Sequence, residues 1–140
     1  MKAASQTPRT KLVAAWAIAT AIACSCSPVR RIDMKNTGND TVAFTWTLNE
    51  DSLSNNPFLL SNSKELTFLL YPPRRNEIKM SFGAGNWSPA QVEKLVNHLV
   101  SLEIKSATQY MKIDSLPLLK TFLLARRKGI GGGRIEIAAN

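Results

Sequence analysis

Thr41-Val42-Ala43-Phe44-Thr45-Trp46-Thr47-Leu48 is the stretch on which the fold turns. Val42, Phe44, Trp46 and Leu48 take every second position, and alanine or threonine fills the gaps. Successive side chains of a strand point to opposite faces, so this alternation predicts a β-strand with one buried face and one wet face. Its β-branched and aromatic residues suit that conformation. Strands covered on one side only belong mostly to antiparallel sheets.

Working outward, residues 29–35 read as a strand, and Asn36-Thr37-Gly38-Asn39-Asp40 as a turn. The two strands and their turn predict a hairpin. Residues 50–63 form the longest irregular stretch, and Phe58, Leu59 and Leu60 within it need cover. Residues 65–71 and 77–82 predict a second strand pair, joined by Pro72-Pro73-Arg74-Arg75-Asn76. Leu66, Phe68 and Leu70 alternate in the first, Ile78, Met80 and Phe82 in the second.

Ser88-Pro89-Ala90-Gln91 is a capping box with proline at the first helical position. Trp87 before it and Val92 after it fit a hydrophobic staple. The helix so opened is expected to run to about residue 101, with Leu95, Val96 and Leu99 inward. Residues 102–105 and 110–113 predict a short hairpin. A second helix is expected over 116–127, capped by Ser115, with Leu119, Phe122 and Leu123 inward and Gly129 just past its end. Residues 134–138 close as a last strand. The order β-β-β-β-α-β-β-α-β predicts an α+β fold, with two helices on one side of a mainly antiparallel sheet.

The N-terminal segment has another logic. Lys2, Arg9 and Lys11 precede residues 12–23, twelve residues with no charge. As a helix these span ~18 Å. The hydrocarbon core of a bilayer is ~30 Å thick, so the run is too short to cross it and has the length of a signal-peptide core. The expected division is a signal peptide over 1–23, a tether over 24–28 and one globular domain over 29–140. Removing 23 residues leaves 117, with 15 Lys and Arg against 10 Asp and Glu. That is enough chain for one apolar core without disulfide staples.

Two exits fit the cut. Ala21-Ile22-Ala23 is a site for release of a soluble protein. Ala21-Ile22-Ala23-Cys24 resembles the lipobox of bacterial lipoproteins, and Ala23-Cys24-Ser25-Cys26 is a second, poorer match. The departure is Ala21, where that family usually carries a large aliphatic. The resemblance covers about residues 1–27. It implies lipidation at Cys24, with Cys26 as second choice, and a protein exported to the periplasmic side of a bacterial membrane. The tract Ser25-Cys26-Ser27-Pro28-Val29-Arg30-Arg31 has no acidic residue and resembles the class kept facing the periplasm. Arg30 and Arg31 either rest on anionic headgroups or stand as outward positions on the first strand.

Chemistry is harder to find. Cys24 and Cys26 are the only cysteines and His98 the only histidine, so no four-ligand zinc set assembles and no metal or other cofactor is expected. Gly129-Ile130-Gly131-Gly132-Gly133-Arg134 follows a helix and precedes a strand, the reverse of a phosphate loop. The acids are mostly single residues among lysines, and no nucleophile, base and orienting group can be nominated as catalytic. Arg74-Arg75 and Arg126-Arg127-Lys128 form one patch for an anionic partner if the fold joins them; a turn and a helix end explain both without it.

The reading is a lipid-anchored envelope protein, non-catalytic, that binds or supports something. Its partners are the membrane through the anchor, and another envelope protein or an anionic envelope polymer. Nucleic acid is not expected, because the positive charge is mixed with negative and the chain leaves the cytoplasm. The alternatives are a small envelope hydrolase with converging carboxylates, or a soluble secreted inhibitor or ligand-binding module.

Overall fold

The computed structural model describes residues 28–55, 57–58 and 63–140. The expected signal segment, Cys24, Cys26, Leu59 and Leu60 lie outside the described residues. The elements are β1 Val29–Asn36, β2 Val42–Leu48, β3 Glu65–Leu70, β4 Glu77–Ala84, α1 Pro89–Val96, β5 Leu99–Lys105, β6 Tyr110–Ile113, α2 Leu116–Ala125, β7 Arg127–Lys128 and β8 Arg134–Ala139. Short 3-10 turns cover Glu50–Asn55 and Ile130–Gly132. The fold is α+β and mainly sheet, in the expected order with the two-residue β7 added.

The strands divide into two four-stranded sheets, ordered β4-β1-β8-β7 and β3-β2-β5-β6. All pairings are antiparallel except β1 with β8, which is parallel. This corrects two expected pairings. β1 and β2 are not a hairpin, and neither are β3 and β4; each connection passes from one sheet to the other. The physical reason lies in the apolar faces. A flat hairpin would lay Ile32 and Met34 beside Phe44 and Trp46 on one side, needing a further layer to cover them. Stacking lets each face cover the other. The indole Nε1 of Trp46 meets the sulfur of Met34 at 3.5 Å across the gap. Asn36 stitches the crossing: its side-chain amide donates to Asp40 O at 2.7 Å and Leu70 O at 3.1 Å. The hairpin of β5 and β6 forms as expected.

Ile32, Met34, Val42, Phe44, Trp46 and Leu48 are fully buried, and Leu102, Ile104, Ile135 and Ile137 join them. The alternation that opens the sequence reading is therefore kept, with Ala43, Thr45 and Thr47 half-buried on the other side of β2. Both helices pack against β5, and α2 also against β6. Leu119 and Leu123 seal α2 to the core.

Helix ends depart from expectation in three places. α1 stops at Val96, because Asn97 and His98 turn back on Glu93 and Leu95 and Leu99 already begins β5. Ser115 sits at the cap of α2 but its hydroxyl makes no capping bond. α2 ends at Ala125, and Arg127-Lys128 leave it to pair with β8 as β7, so Gly129 lies beyond a strand rather than a helix.

Candidate functional site

A small cavity lies at the end of the first sheet where β1 begins. It measures about 160 Å³. That is room for a carboxylate on one ring, well below the ~300 Å³ at which drug-sized pockets begin.

α1 builds one wall. Ser88 Oγ accepts from Gln91 N at 3.2 Å, as the capping box requires. The reciprocal half of the box is missing: Ser88 N donates to Asn86 O at 3.1 Å instead. The Gln91 side chain thus lines the cavity, with Lys94, Leu95 and His98. These positions are three, four and seven residues apart, one face of a helix and its first residues beyond.

β1 and β4 build the opposite wall. Val29 registers with Ala84 and Arg31 with Ser81, so Phe82 and Gly83 together oppose the single Arg30. This is a β-bulge, which re-aims neighbouring side chains. Gly83 takes φ +87°, a conformation that favours glycine. Arg30 Nη2 donates to Phe82 O at 3.0 Å, and its guanidinium carbon lies 5.8 Å from the centre of the Trp87 ring.

Trp87 is the fixed point. Its indole donates to Arg31 O at 3.0 Å, its backbone N–H donates to Gly132 O at 3.0 Å, and its carbonyl accepts from Arg127 Nη1 at 3.1 Å. Behind it an aromatic chain runs through Phe82 and Phe58 to Trp46, with neighbouring centroids 5.2 to 5.5 Å apart.

Two nitrogens on this cavity's lining residues are buried and lack a hydrogen-bond partner: Arg30 Nε and His98 Nδ1. Leaving such a group unpaired costs roughly 1–3 kcal/mol, more for a charged one. No Asp or Glu lines the cavity among the described residues, while Arg30 and Lys94 do.

The cationic patch expected from Arg74, Arg75, Arg126, Arg127 and Lys128 does not assemble. Lys128 registers with Arg134, which registers with Arg31 at the start of β1. Arg74 and Arg75 precede Glu77, which registers with Lys35 near the end of β1 and on the opposite edge of the sheet. Three strand spacings and several residues separate the clusters, about 20 Å. Arg126 is also committed elsewhere. Its guanidinium stacks 3.5 Å from the Phe122 ring centre, donates to Phe122 O at 3.2 Å, and burial holds its pKa below the usual value.

What the structure assembles instead is a charged outer face on the first sheet. Arg31, Arg134 and Lys128 stand side by side on three adjacent strands. One step in lie Asp33 and Glu136, again registered partners. Asp33 is 1% exposed and accepts from Arg31 Nε at 3.2 Å, with Arg134 Nε at 3.9 Å. At the far end Lys35 lies 2.8 Å from Glu136 and 3.7 Å from Glu77.

The sequence reading takes His98 only as the single histidine, too few for a four-ligand zinc set, and does not connect it to Arg30. The helical spacing of Gln91, Lys94, Leu95 and His98 is legible in the sequence. The bulge that swings β1 against it is not. Comparison of the chain with protein-family models, with curated proteins and with solved structures finds no match.

Proposed function

We propose that this chain is an exported, lipid-anchored envelope protein whose domain binds a partner without transforming it. The anchor is Cys24, with Cys26 the second choice. The binding site is the cavity between α1 and the start of β1, and its occupant is a carboxylate-bearing group of an envelope protein or polymer. One observation carries this reading: Arg30 and His98, each with a buried nitrogen that lacks a hydrogen-bond partner, line a small cavity with aromatic walls and, among the described residues, no acid. An anionic group reaching the Arg30 guanidinium gains a charge-assisted hydrogen bond.

The hydrolase alternative gains less support. Two acids do come to registered positions on neighbouring strands, Asp33 and Glu136. They lie on the charged outer face of the sheet, and the Lys35 hydrogen bond pushes the Glu136 pKa down. A general acid needs the opposite shift.

Benzoate is the probe for this site. Titrated into the full mature chain and followed by Trp fluorescence and by the His98 ring resonances, it binds, and benzyl alcohol of the same shape does not. Arg30→Met weakens benzoate at least about tenfold, from loss of one charged hydrogen bond worth roughly 1.5–3 kcal/mol. Equal responses to benzoate and benzyl alcohol, or undiminished binding by a folded Arg30→Met variant, would contradict the reading.

A further inference from the structure

At the end of the first sheet where the chain arrives from Cys24, the 3-10 turn between β7 and β8 holds an isoleucine almost wholly in water. Ile130 is 98% exposed, the extreme among the large apolar residues of the described chain. A single exposed aliphatic is ordinary on a protein surface. This one is held there. Gly129, Gly131 and Gly132 all take positive φ, which lets the turn fold sharply beneath it. A side chain at Gly131 would collide with Asn86 Nδ2, and Gly132 O is bonded by the Trp87 N–H. Gly133 is buried against Pro28, and its carbonyl accepts from Arg31 N at 3.1 Å. The turn is thus fastened on its inner side, and Ile130 faces outward.

The charged residues next to Ile130 in sequence and across the strands are basic. Arg127 lies against Gly132, Lys128 follows it, and Lys128, Arg134 and Arg31 form the cationic row. Like charges opposite one another on neighbouring strands are unfavourable, and only Asp33 and Glu136, one step further in, offset them. Val29 adds a second exposed aliphatic, 52% exposed, at the same edge. The third feature is the path of the chain. Pro28 is the first described residue and touches the turn; Cys24 stands four residues before it, a reach of at most ~14 Å.

We propose that this end of the domain is a membrane-docking face: Ile130 inserts at the headgroup boundary of an anionic bilayer, and Arg31, Arg127, Lys128 and Arg134 contact the lipid phosphates. The inference rests on the lipid anchor proposed above, which brings the face to the bilayer. Apolar insertion flanked by basic residues is how interfacial segments hold an anionic surface, each basic residue contributing about fivefold.

The test uses the lipidated mature protein in vesicles of phosphatidylethanolamine with phosphatidylglycerol. Flotation of the unsubstituted protein comes first. A polarity-sensitive fluorophore is then attached through Ile130→Cys in a Cys26→Ser background, and in a second preparation through Tyr110→Cys. Tyr110 is 64% exposed, and its neighbours Ser106 and Gln109 bond Asn140, so it marks the opposite end of the molecule. The expected result is several-fold stronger quenching by a headgroup-level nitroxide lipid at 130 than at 110, reversed for aqueous iodide. Replacing phosphatidylglycerol with phosphatidylcholine, or Arg31→Glu with Lys128→Glu, reduces the difference. If the protein floats but both labels are quenched alike by iodide, the docking face is overturned while the anchor stands. If the unsubstituted protein does not float, the anchor reading fails and takes the docking face with it.

Discussion

The two ends of the first sheet use the same residue types to opposite effect. Near Asn36, Lys35 sits between Glu77 and Glu136, and Lys79 bonds Glu77 at 3.2 Å, so charges of both signs are matched. Near Pro28, Arg31, Arg134 and Lys128 stand in one row, and the nearest carboxylates are a step further in. The same end holds the cavity with unpaired nitrogens and the exposed isoleucine. Matched charges stabilise a fold modestly and ask for nothing else. A surplus of one sign, beside buried polar groups without partners, is the arrangement on which the proposed binding and docking rest.

The largest expected effect on this contrast comes from Asp33. It is the buried carboxylate beneath the basic row, held by Arg31 and facing Arg134. Asp33→Asn keeps the shape and removes the charge. We expect a loss of about 3 kcal/mol in urea unfolding, where the range for a charged hydrogen bond meets that for a broken buried pair. Adding Arg134→Met to Asp33→Asn should recover part of that loss, since one unmatched cation is then gone.

The matched end should respond more weakly and with a clear pH signature. Lys35→Met is expected to cost less than about 1 kcal/mol at neutral pH, as for other partly exposed pairs. The Lys35 hydrogen bond holds Glu136 below the usual carboxylate range, so this stabilisation is present above that range and lost as pH falls through the lowered value. Lys35 itself is raised, chiefly by its hydrogen bond to Glu136. Its contribution is present below pH 10.5 and lost as pH rises through the raised value. Unfolding of Lys35→Met followed across pH should lack both limbs; unchanged limbs would remove the contrast between the ends.

Strand positions were legible in the sequence because period-2 alternation is local: Val42 to Leu48 and Leu66 to Leu70 fall where the pattern puts them. Strand partners were not. Whether Ile32 and Phe44 lie beside or across from each other depends on which faces cover one another, and β8, a hundred residues away, decides it by pairing with β1. The candidate site failed to show for the same reason. Its helical half, from Gln91 to His98, is written in spacing. Its other half depends on a bulge opposite Arg30, set by the register of two distant strands. The basic clusters misled because adjacency in sequence says nothing of which sheet corner each reaches.

The proposed anchor is what would give the Pro28 end its direction, so how the mature chain begins decides most. Intact mass and fragmentation of the mature N-terminus measure this directly. The account predicts a first residue at Cys24 whose sulfur is joined by a thioether to a diacylglyceryl group. A chain that retains residues 1–23, or that starts at an unmodified Cys24, would contradict it.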